Sequence, residues 1–138
     1  MVKKVVPAVI KKKVNEIPLE SKVESYFKLQ IARQLGATSW KFSSPNRRGV
    51  SDQIMICDSI VIFVEMKRQT GKISPKQESF YKTVVKHDGL CCFVFGHSGV
   101  DQFIKAIATL RNAIKSAEGL GCSPPLSSYQ SAIKKEYH

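Results

Sequence analysis

Three residues of this chain stand at a spacing that can do chemistry: Asp52, then Glu65 and Lys67 in the triplet Glu65-Met66-Lys67. Side chains alternate along an extended strand, so Glu65 and Lys67 project from one face while Met66 points to the other. Residues 53–57 and 60–67 read as two strands joined by Asp58-Ser59, a tight hairpin turn. A two-residue loop pairs Cys57 with Ile60, which sets Gln53 opposite Val64 and Asp52 opposite Glu65. Two carboxylates and a lysine at the end of an otherwise apolar hairpin are costly without a compensating partner, and a divalent cation is one. Hard oxygen donors suit Mg²⁺ or Mn²⁺, which retain water and take further ligands from a substrate phosphate. Lys67 would add a cation where negative charge builds during phosphoryl transfer. On its own a Glu-x-Lys triplet also fits an ordinary salt-bridged sheet edge. The paired Asp52, the preceding Arg47-Arg48-Gly49 loop and the charge of the chain turn the reading toward a metal site.

That charge is considerable. Lys and Arg number 22 against 11 Asp and Glu, a net +11 over 138 residues. Such an excess draws a compact protein to polyanions, nucleic acid first and acidic membrane surfaces second. The apolar runs at residues 60–64 and 90–95 are far short of the roughly 20 residues of a membrane span. No secretory leader pattern opens the sequence, so a cytoplasmic location is expected. Cys57, Cys91, Cys92 and Cys122 form no CxxC pair and lie at no ligand spacing from the three histidines. Cys57 and the Cys91-Cys92 pair fall inside apolar runs and read as buried thiols in a reducing compartment.

The elements that must position the site follow from periodicity. Residues 1–18 form a basic tail, either an arm for phosphates or a solvated end. Leu19, Val23, Tyr26, Phe27, Ile31 and Leu35 repeat at helical steps and stop before Gly36. Residues 38–43 are rich in strand formers, with Trp40 and Phe42 on one face. Ser74 is an N-cap with Pro75 at the first helical position and Gln77 placed for a capping box, predicting a helix to about His87. Residues 90–95 are continuously apolar, as in a strand buried on both faces. Residues 100–116 carry a last amphipathic stripe, Phe103, Ile104, Ile107, Leu110 and Ile114. The order α-β-β-β-α-β-α predicts one α/β domain over residues 19–117, a small mixed sheet flanked by helices, followed by a loose tail over 118–138.

The motifs Gly49-Val50-Ser51-Asp52, Val64-Glu65-Met66-Lys67 and Gln77 together resemble the PD-(D/E)xK nuclease superfamily, and within it the stand-alone VRR-NUC group of phages and bacteria. The resemblance spans residues 19–96. One departure is Ser51, where the family usually has proline before the aspartate. The resemblance implies a restriction-endonuclease-like αβββαβ core with an extra C-terminal helix, and Mg²⁺- or Mn²⁺-dependent hydrolysis of DNA. It implies Asp52, Glu65 and the Met66 carbonyl as metal ligands, Lys67 as the group that orients or activates the attacking water, and Gln77 as a contact to the site. A first-helix glutamate would join them, Glu20 or alternatively Glu24. Arg47, Arg48, Arg68 and Lys72 lie on loops flanking the site and would contact phosphates. The group resembles Holliday-junction resolvases, homodimers that nick opposing strands of branched DNA. A monomeric nicking or flap nuclease and a non-catalytic nucleic-acid-binding module of the same fold are the alternatives.

Overall fold

The computed structural model describes residues 17–44, 46, 49, 52–122, 124–125, 128–129 and 132–138. Helix α1 is Glu20–Leu35, strand β1 Thr38–Lys41, β2 Gln53–Cys57 and β3 Ile60–Lys67. Helix α2 (Pro75–Lys86), β4 (Leu90–Phe95), α3 (Gly96–Gly119) and a short β5 (Glu136–Tyr137) complete the chain. The five strands lie in the order β1-β2-β3-β4-β5. The first two pairings are antiparallel and the last two parallel, so the sheet is mixed as expected.

Strand alternation divides the sheet into two unlike faces. Ile60, Ile62, Val64 and Met66 of β3 join Met55 and Cys57 of β2 in a core completed by Val23, Phe27 and Ile31 of α1 and Phe103, Ile107 and Leu110 of α3. Phe27 and Phe103 meet at 5.7 Å between ring centroids. Arg111 of α3 donates to the carbonyl of Leu35 at 2.7 Å and so ties the end of α1 to its neighbour helix. There the chain turns through Gly36, whose φ of +61° is open to glycine at little cost, and the N–H groups of Gly36 and Ala37 return to the carbonyls of Ala32 and Ile31. On the opposite face α2 buries no residue fully. It leans Phe80 edge-on against Phe63 at 5.3 Å and Tyr81 against Phe93 at 5.8 Å, so it covers β3 and β4 and leaves β1 and β2 bare.

Two features depart from the sequence expectation. Helix α3 begins at Gly96, four residues before the expected Val100, because Gly96 takes φ +64° and lets the chain pass from β4 straight into the helix. A Gly-His-Ser-Gly stretch reads as a loop by composition, and packing overrides that tendency. The C-terminal segment, expected to be loose, returns to the domain. Its β5 pairs parallel to β4, and Tyr137 and Ile133 are buried in the core. Gly99 makes room for this return, since a Cβ there would lie 2.5 Å from the carbonyl oxygen of Tyr137. Lys135 adds an ion pair to Glu78 of α2 at 2.7 Å. The N-terminal basic tail lies outside the described residues apart from Ile17 and Pro18. No helix among the described residues is long and apolar enough to cross a membrane.

Candidate active site

The hairpin sets the first two positions. Gln53 pairs with Val64 and Cys57 with Ile60, in the register that a two-residue turn at Asp58-Ser59 requires. Asp52 therefore extends the ladder opposite Glu65, and its backbone N–H donates to Glu65 Oε2 at 2.9 Å. On its other side the Asp52 carbonyl accepts from the N–H of Phe42 at 2.6 Å. The aspartate is thus fixed by main-chain bonds to both neighbouring strands, and its carboxylate lies against that of Glu65.

Glu65 is only 2% exposed. Its second oxygen, Oε1, accepts from Gln77 Nε2 at 2.9 Å, with Lys67 Nζ 4.0 Å away. Gln77 is held in turn by the start of α2. Ser74 Oγ accepts from the Gln77 N–H at 3.2 Å, and Gln77 Oε1 accepts from the Ser74 N–H at 3.0 Å, completing the expected capping box. One side chain therefore both starts a helix and presents its amide to a buried carboxylate. Gln77→Ala is expected to destabilise the protein by about 2 kcal/mol, because it removes the reciprocal half of the cap and leaves a buried acceptor without its donor. Urea denaturation of the two proteins measures this, and an unchanged midpoint would refute the bond.

Helix α1 brings the remaining acids. Carboxylate oxygens of Glu20, Glu24 and Asp52 lie within 4.8 Å of one another, each residue half-buried. Both candidate glutamates of the first helix reach the site, since they stand one helical turn apart on its opening turns. Glu65 is not in this trio. The hydrogen bonds to its two oxygens leave a carboxylate with lone pairs to spare, so they do not bar it from ligating.

The crowding of acids has an electrostatic signature. Burial, and next the charge of Asp52, raise the pKa of Glu65 from the usual 4.5 to about 8, against the lowering effects of the Asp52 N–H and Lys67. Glu20 is raised too, by burial first and then by Asp52 and Glu24, with Lys67 and Lys41 opposing. These acids are held close together where ionisation is unfavourable, an arrangement a bound cation would relieve.

The other expected residues divide. Met66 turns its side chain wholly into the core while its backbone runs between Glu65 and Lys67. Arg68 is half-buried, with no hydrogen-bond partner for Nε, and Lys72 is exposed on the loop before α2. Arg47 and Arg48 lie outside the described residues. Gly49 of the same loop is described: its φ is +83°, and a Cβ there would collide with the backbone carbonyl of Lys76 and approach its Cβ at 2.7 Å. Glycine is what lets this loop pass against the first turn of α2.

Sequence reading missed Gln53. It is fully buried, and neither its Oε1 nor its Nε2 has a hydrogen-bond partner. Its place in a strand alternating Gln-Ile-Met-Ile-Cys was a usable signal, because it falls at a core-facing position where an apolar residue is the rule.

The mixed sheet flanked by helices, with acids gathered where β2 begins and β3 ends, defines a restriction-endonuclease-like, nuclease-type fold. The comparison with solved structures narrows it. The chain is similar to a structure described as a VRR_NUC domain, with a TM-score of 0.57 and 29% sequence identity over 62% of this chain and 94% of that one. It carries a VRR-NUC domain fold. No protein-family model matches the chain, and the search of curated proteins finds no match.

Proposed function

We propose that this protein is a divalent-metal-dependent DNA endonuclease acting on branched DNA. The observation that carries the proposal is the convergence of Asp52, Glu20 and Glu24 beside a buried Glu65 braced by Gln77 and Lys67. An all-carboxylate donor set fits Mg²⁺ or Mn²⁺ and not a softer ion. Asp52 and Glu20 would hold it, with Glu24, Glu65 and the Met66 carbonyl as the further candidate donors. When bound, such an ion supplies Lewis-acid polarisation of a phosphodiester and makes water a better nucleophile.

The chain's own groups do the rest. The Asp52 N–H and the Gln77 amide fix Glu65, so the acids keep their geometry as substrate enters. Lys67, largely buried, sets a cation beside Glu65, where it would offset charge on the phosphoryl oxygens and orient the attacking water. Arg47, Arg48, Arg68 and Lys72, with the net +11, would contact the DNA backbone. A domain this small favours reading DNA by shape. Together with the family resemblance, that supports a homodimer that nicks opposing strands of a four-way junction.

The test is to incubate the protein with Mg²⁺ or Mn²⁺ and a four-way junction, a flap and a linear duplex of equal length. Preferential cutting of the junction, lost in EDTA, is expected. Equal cutting of all three substrates would overturn the selectivity, and absence of cutting would overturn the nuclease assignment. Sedimentation separates the homodimer from a monomeric nicking enzyme.

A further inference from the structure

Seven large apolar side chains are exposed among the described residues, and four of them belong to β1, β2, β3 and the residue after β1: Trp40 at 55%, Phe42 at 38%, Ile56 at 40% and Val61 at 47%. Register places them on one face. Trp40 pairs with Ile54, and Ile54 with Phe63; Thr38 pairs with Ile56, and Ile56 with Val61. Cross-strand partners share a face, and this is the face that α2 leaves bare over β1 and β2. The patch runs into the candidate site. Phe42 is joined to Asp52 by its N–H, Asp52 stands opposite Glu65, and alternation puts all three in the next cross-strand row beyond Trp40, Ile54 and Phe63.

Charge indicates what covers this surface. Lys41, between the two aromatic residues in sequence, turns to the opposite face; the basic group on this face is Lys67, two residues beyond Glu65 with its Nζ 4.0 Å from Glu65 Oε1. The chain carries +11, which favours a polyanion on an exposed face that borders the candidate site. Exposed rings beside basic groups are the arrangement that holds unpaired bases, because every base offers a flat face to stack. A continuous duplex keeps its base faces stacked on one another.

We infer that Trp40 and Phe42 form a stacking platform for unpaired DNA bases next to the scissile phosphate. The preferred substrate then carries single-stranded nucleotides beside the cut, as a flap or an opened junction does. This deepens the nuclease reading and rests on it for the position of the cut.

Trp40 is the only tryptophan, so its fluorescence reports this surface directly. In EDTA, a thymidine oligonucleotide should quench or shift that emission, while a blunt duplex at equal phosphate concentration leaves it nearly unchanged. By anisotropy of labelled DNA, Trp40→Ala should weaken single-strand binding by about tenfold or more, with duplex binding spared and Trp40→Phe close to wild type. Saturating single-strand binding with silent fluorescence would overturn the platform. So would an equal loss on both DNAs in Trp40→Ala, or a fluorescence change that follows protein concentration alone together with a dimer in sedimentation. The latter pair assigns the face to a second copy. Asp52-dependent cleavage with a silent Trp40 refutes the platform and leaves the nuclease. Selective loss in Trp40→Ala with no cleavage under any divalent ion supports the surface and refutes the nuclease.

Discussion

Replacing Asp52 by Asn is expected to lower DNA cleavage by about a thousandfold or more, close to 4 kcal/mol of transition-state stabilisation, while raising the melting temperature of the metal-free protein. The two effects share one cause. Asp52 is held by its backbone, through the Phe42 N–H on one side and Glu65 on the other, and the substitution leaves both bonds intact. What it removes is a negative charge among Glu20, Glu24 and Glu65. That charge acts to raise both Glu65 and Glu20, so its loss relieves repulsion in the folded state. The same loss deprives a divalent ion of the donor common to the acidic trio and to the Glu65 pairing. Rate measurements and melting curves in EDTA check the two halves separately. An active Asp52→Asn protein would sink the assigned site, and a destabilised one would show that the carboxylate has a structural partner instead.

Opposed stability and activity of this kind follow from how the site is built, and much of that construction is legible in local sequence. The Asp52–Glu65 juxtaposition needs only the two-residue turn at Asp58-Ser59, because hairpin register then fixes every pair above it. Asp58 takes φ +53°, which aspartate tolerates better than most residues. The Ser74-to-Gln77 capping box is equally local, since it needs only residues 74–77 to set Gln77 at the start of α2. Non-local placements were harder. Periodicity shows that Glu20 and Glu24 flank an apolar stripe, but only packing of α1 on the sheet brings both to Asp52. The two-residue β5 is too short for any alternation to register. It forms because Tyr137 finds Phe103 and a polar partner for its hydroxyl, which accepts from the Lys134 N–H. Gln53 shows the reverse, a polar residue at a core position whose burial composition argued against.

Metal-free protein should lose stability as pH rises from about 4.5 to about 8, and added Mg²⁺ or Mn²⁺ should restore it increasingly across the same range. The sign follows from Glu65. Its folded pKa of about 8 exceeds the usual 4.5 because burial, and then Asp52, disfavour its charged form. The folded state therefore holds this proton more tightly than the unfolded chain does. Its contribution is complete below about 4.5 and is lost as pH climbs through the folded pKa, a change on the order of a few kcal/mol. Glu20, raised for the same reasons, acts in the same direction. A divalent ion needs these groups ionised, so it competes with protons and its stabilising effect grows as they leave. Melting temperatures in EDTA and in saturating Mn²⁺ at about pH 5 and about pH 8 measure both parts. A metal-induced shift that is equal at the two pH values would mean the ion binds elsewhere. Metal-free stability that is flat or rising over this interval would mean Glu65 is already ionised in the fold, with Gln77 and the Asp52 N–H sufficient to hold its charge.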